Sequence, residues 1–181
     1  MEKLKENYEI EVKWTAFPLH PETPEEGLSL AQLFGGRIRD LDAAQKRLKQ
    51  VAQDLGLPLS DRSMTYNSRL AQELGKWAET QGKGDAFHEA VFRAYFVDCI
   101  NIGKIDELVK LTKSLGLPEQ EVRFALEQRT YKEAVDADWA RSREKGVSVV
   151  PTFMMDDRAV EGAQSYEVLE RLFISCGVKK R

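Results

Sequence analysis

Two cysteines in 181 residues, Cys99 and Cys176, are too few for a disulfide framework, and neither belongs to a Cys-x-x-Cys or a metal-like pair. Histidine is just as scarce: His20 and His88 lie far apart with no partner at metal-ligand spacing, so no metal site is expected. No apolar run approaches the roughly 18 residues of a membrane span. The opening stretch Met1–Asn7 is charged and lacks the apolar centre of a secretion signal, which points to a cytoplasmic protein. Charge of one sign is missing as well. Acids and bases mix throughout to a net charge of −3, leaving no basic face for nucleic acid. The chain is 42% apolar and 31% charged, which excludes disorder and fibrous repeats and fits one globular domain or a domain carrying a large insertion.

The pattern begins with a short helical turn at Glu2–Glu6, whose only strongly apolar residue is Leu4. Glu9–Phe17 follows, with Ile10, Val12, Trp14 and Ala16 alternating with polar residues, and this period predicts a strand. Pro18, Pro21 and Pro24 interrupt regular structure, and one short helix is expected around Leu28–Phe34. From Asp40 the period is helical. Asp40 is placed to cap a helix with an inward stripe of Leu41, Ala44, Leu48, Val51, Ala52 and Leu55, closed by Gly56. Asn67 is placed to cap the next, with Leu70, Ala71, Leu74, Trp77 and Ala78 inward. Further helices are expected over Asp85–Asn101, Lys104–Leu115, Pro118–Gln128 and Thr130–Lys145. Trp14, Trp77 and Trp139 read as packing residues, and Cys99 as a small buried hydrophobe.

The period changes again after Gly146. Pro151–Met155 and Arg158–Glu161, separated by Asp156 and Asp157, read as a tight hairpin, and Ser165 opens a last helix with Val168, Leu169, Leu172 and Phe173 inward. A hairpin needs a sheet partner, and the Glu9–Phe17 strand is the one available. The order therefore predicts an α/β domain made of residues 1–39 and 146–181, with 40–145 inserted as a helical domain. On local sequence alone Pro151 is an ordinary trans proline opening an edge strand, since only about 5–6% of such bonds are cis.

Gly146-Val147-Ser148-Val149-Val150-Pro151-Thr152-Phe153, a hairpin, then Gly162-Ala163-Gln164 resembles the C-terminal half of DsbA-family proteins of the thioredoxin-like fold. Phe17-Pro18-Leu19, Tyr66-Asn67-Ser68 and Phe92-Arg93-Ala94-Tyr95-Phe96 extend the likeness over nearly the whole chain, within the FrnE-type branch, which is related to 2-hydroxychromene-2-carboxylate isomerase and kappa-class glutathione transferase. The resemblance implies a cis Pro151 that turns the Val150 backbone outward to pair with an extended peptide or glutathione. It makes Val149, Val150 and Pro151 the substrate-binding residues, with Asn67, Ala163 and Gln164 as further glutathione or substrate contacts. Val149 stands where the family usually has glycine, and its branched side chain should narrow the approach. In the family a central strand and a Cys-x-x-Cys at a helix N-terminus precede this region. Neither occurs here, so the expected fold is N-terminally truncated, with no catalytic residue of its own.

Three functions follow. The first is a thiol–disulfide oxidoreductase acting on thiol- or disulfide-containing peptides or small thiols. The second is a glutathione-dependent isomerase or transferase, and the third a redox-inactive binding module. Glutathione enters only as a co-substrate and no other cofactor is expected. An uncovered sheet edge would favour homo-oligomers.

Overall fold

The computed structural model describes residues 1–35 and 40–181. It divides into two units, Met1–Leu19 with Ala137–Arg181, and His20–Asp136.

In the first unit, helix α1 (Glu2–Asn7) is far too short to hold itself together. It persists because Leu4 and Tyr8 are each 2% exposed in an apolar cluster with Leu169, Leu172 and Phe173. Tyr8 stands edge-on to Phe173, and its hydroxyl donates to Glu170 Oε1 at 2.7 Å. That bond to a carboxylate is the main reason the phenol is pushed up to about 12. The hairpin is formed as the turn residues require. β3 (Thr152–Met155) pairs antiparallel with β4 (Arg158–Glu161), and Asp156 takes the left-handed conformation (φ 53°) between them. Phe153, Met155 and Val160 point into the cluster, against the final helix, Tyr166–Ser175.

The strand expected over Glu9–Phe17 is absent. Its neighbourhood forms one bridge, Tyr8 with Lys180, supported by Glu9 N–H donating to Lys179 O at 3.0 Å and Arg181 N–H to Asn7 O at 2.9 Å. Alternation says which side chains share a face; a strand also needs a neighbouring backbone, and among the described residues β3 and β4 pair only with each other. Trp14, on what would have been the inward face, is 37% exposed. Farther along, Ala16 N–H donates to Asp138 Oδ2 at 3.0 Å, which fastens this segment to the second half of the long helix Lys132–Glu144.

The second unit is helical and spans 20–136, where the sequence alone places the insertion at 40–145. Its start is early because two asparagines hold the proline-rich turn. Asn67 Nδ2 donates to Pro21 O and Thr23 O at 3.1 and 2.7 Å, and Asn101 Nδ2 to Glu25 O at 2.9 Å. Gly27 lets this turn pass close to its neighbour. Its φ is +85°, and a Cβ there would lie 2.5 Å from both Thr65 O and the Tyr66 ring. Directly after it, β1 (Leu28–Ser29) pairs with β2 (Met64–Thr65), a two-residue ladder too short for any period to announce. Helix α2 (Leu30–Phe34) starts from a reciprocal capping box between Ser29 and Gln32.

The core of this unit comes from α4 (Arg69–Thr80), α5 (Gly84–Phe96), α6 (Ile105–Lys113) and α7 (Glu119–Glu127). Leu74, Ala78, Phe87, Leu108, Val122 and Leu126 are all within 1% of complete burial. Gly75 on α4 leaves room for the Phe87 ring, 3.5 Å from where its Cβ would be. Ser68, not Asn67, occupies the cap position of α4. Asn67 Oδ1 instead accepts from Arg69 N–H at 2.9 Å, a short side-chain turn that leads into the helix.

Helix α3 (Leu41–Asp54) is capped by Asp40 as expected, its carboxylate accepting from Ala43 N–H at 2.8 Å. The stripe expected to face inward does not. Leu48, Val51 and Leu55 are 56%, 48% and 67% exposed, and the helix buries none of its residues. It is held by its polar edge, with Gln45 Nε2 donating to Arg62 O at 3.0 Å and Lys49 Nζ paired with Asp61 at 2.7 Å. Amphipathicity defines an apolar face but does not say what will cover it.

Candidate functional site

The approach to β3 is built from residues 146–151, which follow the last turn of the long helix and carry no ladder before Thr152. The Val150–Pro151 peptide bond is cis. Pro151 cannot donate, but its carbonyl accepts from Gly162 N–H at 2.7 Å, so the loop is pinned to the far end of β4. Thr152 Oγ1 donates to Val149 O at 2.7 Å, closing a small ring across Val150 and Pro151. Val149 and Val150 are 41% and 43% exposed. Among the described residues, the N–H and C=O of Val150 have no hydrogen-bond partner. The exposed, unpaired main chain of Val150 thus lies between two tied residues, an arrangement that can accept an extended peptide by strand addition.

Gly162, Ala163 and Gln164 lie beside this loop through the Gly162–Pro151 bond. Ala163 and Gln164 are exposed, and Gln164 Nε2 donates back to Glu161 O at 2.6 Å, which fixes the turn before helix α9 (Tyr166–Ser175). Val149, Val150, Pro151, Ala163 and Gln164 thus belong to one unit and one turn cluster. Asn67 belongs to the helical unit, and both ends of its amide are occupied by Pro21, Thr23 and Arg69. Thr152 carries no role on sequence grounds. Only its position next to a proline loop hints that a hydroxyl is needed to tie it down.

Cys176 packs in the apolar cluster of the first unit with its Sγ 3.9 Å from Met155 O, at the C-terminal end of α9. Cys99 is half-buried in the helical unit, in the left-handed conformation (φ 55°) beyond α5. Among the described residues no group of three or more His, Cys, Asp or Glu side chains could hold a metal ion, and no helix is long and apolar enough to cross a membrane.

The chain is similar to several known proteins. YwbO, an uncharacterised protein of Bacillus subtilis, is 29% identical over 169 residues, covering 90% of this chain and 80% of YwbO. Among solved structures, a protein described as a probable DsbA oxidoreductase from Streptomyces coelicolor superposes with a TM-score of 0.85 at 24% identity, covering 93% of this chain and 76% of that one. The cytosolic disulfide reductase DsbM from Pseudomonas aeruginosa, solved with GSH, gives 0.54 at 20% identity, with 71% of each chain covered. A 2-hydroxychromene-2-carboxylate isomerase gives 0.63 at 24% identity over 76% of this chain and 66% of that one. The DSBA-like thioredoxin domain matches residues 1–173, nearly the full length and including both the helical unit and the proline loop, and the chain belongs to that family.

Proposed function

We propose that this protein is a thiol–disulfide oxidoreductase whose residues 149–152 hold the substrate's backbone while sulfur exchange takes place beside them. The observation that carries this reading is the exposed, unpartnered main chain of Val150, braced by Thr152 and Gly162. Two further main-chain hydrogen bonds to an extended peptide can form there without any rearrangement of the hairpin. In the exchange, a thiolate attacks one sulfur of the substrate disulfide. A new S–S bond forms, the old one breaks, and the departing sulfur leaves as a thiolate; a second thiol then resolves the mixed disulfide. In this reading half-buried Cys99, and Cys176, packed on the apolar cluster, are not the attacking groups, and the thiolate comes from a thiol co-substrate. Glutathione suits the role of co-substrate. The N–H groups of Ala163 and Gln164, unpaired among the described residues and next to the loop, offer a place for one of its carboxylates.

The test is a nuclear magnetic resonance titration of the labelled full chain with an extended cysteine-containing hexapeptide and, separately, with reduced glutathione. Amide shifts concentrated at Val149, Val150, Thr152, Ala163 and Gln164 are expected with the peptide, and a smaller set including Ala163 and Gln164 with glutathione. A titration that moves no amide in 149–152 would sink the reading.

A further inference from the structure

The exposed stripe of α3 has a regular spacing. Leu41, Ala44, Leu48, Val51 and Leu55 follow one another at intervals of three and four residues, which is the a/d pattern of a two-stranded coiled coil. In that register Leu41, Leu48 and Leu55 are a positions, Ala44 and Val51 are d positions, and Arg47 and Asp54 are g positions on the same flank. The opposite flank, through Gln45 and Lys49, is the side that fastens the helix to Arg62 and Asp61. Leu41 is half-buried, whereas Ala44, Leu48, Val51 and Leu55 are all exposed. What remains open is therefore a short seam with one charged edge.

We infer that this seam pairs with the α3 seam of a second copy of the chain, running antiparallel, with Ala44 opposite Leu55 and Leu48 opposite Val51 of the other copy. Charge selects both the direction and the register. In this antiparallel alignment the g positions face each other, and Arg47 of each copy meets Asp54 of the other, giving two opposite-charge contacts by symmetry. Sliding one heptad toward the helix start brings Arg47 against Arg47 and Asp40 against Asp54, all like charges. A parallel pairing sets Arg47 against Ala52 and Asp40 against Gln45, with no charge contact. The favoured register also uses the four most exposed apolar positions and leaves out half-buried Leu41. Asp54 accepts from Gln50 Nε2 at 2.9 Å within its own helix. Leu57, 58% exposed just past the helix, lengthens the apolar surface. A 14-residue helix is about 21 Å long, so the contact is at the small end of stable interfaces and the dimer is a weak, concentration-dependent one.

Sedimentation velocity on the full chain from about 5 to 500 μM tests this, the upper limit being set by the small interface. The parent chain is expected to shift from monomer to dimer across that range. Leu48→Lys should remain monomeric over most of that range, raising the dissociation constant at least about 10-fold. Arg47→Asp and Asp54→Arg should each weaken the dimer about 3- to 10-fold, and the double exchange should restore it to within about twofold of the parent, since the two charges then swap places across the seam. Because these side chains are exposed, the circular dichroism and melting of the variants should match the parent, which separates lost pairing from lost folding. A parent that stays monomeric at every concentration overturns the proposal. So does a dimer that survives Leu48→Lys, which would place the contact on another surface such as the β3–β4 edge, and so does a double exchange that fails to rescue.

Discussion

Glu73 lies on α4 at 2% exposure and is ionised there. Burial pushes its carboxyl up, but Arg129 donates from Nε and Nη2 at 2.6 Å each and Arg69 Nε at 2.5 Å, and together these hold it below the ordinary carboxylate value. Arg69 also reaches Lys132 O at 2.9 Å and Asp136 at 2.7 Å, and Arg129 bends into the left-handed region (φ 52°) beyond α7, so the Glu73–Arg69–Arg129 cluster links α4 to the segment after α7 and, through Arg69, to the start of the long helix. Because the native value is the lower one, the stability from this group is present above the unfolded glutamate value of about 4.3 and disappears as the pH falls through the native value. Glu73→Gln leaves two guanidinium groups without their shared counter-charge. A loss of about 2–3 kcal/mol at neutral pH is expected, smaller than for a fully buried pair because Arg129 is 40% exposed. Thermal melts from neutral to acid pH check this: the variant should lose less stability than the parent as the pH falls below the unfolded glutamate value of about 4.3. Parallel acid limbs would show that other carboxylates dominate.

At the scale of elements, the hairpin is anchored by Phe153, Met155 and Val160 in the apolar cluster, while the loop before it is held by small polar ties. β3 and β4 contribute four residues each, and the bonds Thr152–Val149 and Gly162–Pro151 hold the loop in front of them. Thr152→Val keeps the shape and removes the hydroxyl, freeing the Val149 carbonyl. Peptide affinity is expected to fall about 3- to 10-fold, as one net hydrogen bond implies, while the melting temperature stays nearly constant because the site is exposed. Fluorescence anisotropy with the extended peptide reads the first quantity and calorimetry the second. Unchanged affinity would mean that the loop keeps its shape without the hydroxyl.

For the whole molecule, the two thiols offer the most direct check on where the proposed exchange takes place. Cys176 is packed among Leu169, Leu172 and Phe173, and Cys99 is a half-buried residue past the end of α5. A chain with Cys99→Ser and Cys176→Ser together is expected to fold, with a melting temperature lower by a few degrees, on the order of 1–2 kcal/mol for a polar hydroxyl among apolar neighbours. It should also bind the hexapeptide as the parent does. Loss of peptide binding at an unchanged fold would assign one of these cysteines to the site.

Much of this could be read before any coordinates. The helix cap at Asp40, the glycine stop at Gly56 and the turn at Asp156 are local, and each rests on forces acting within a few residues, whereas the cis bond before Pro151 is implied by the family resemblance and not by local sequence, which favours trans. What could not be read was decided by long-range partners. Alternation in Glu9–Phe17 met no neighbouring strand, the apolar stripe of α3 met no covering layer, and Asn67 turned its amide to a loop more than forty residues upstream. A period or a cap lies within one stretch of chain, but a ladder, a covered face or a bridging side chain is shared between two, and the second is chosen only when the chain closes on itself.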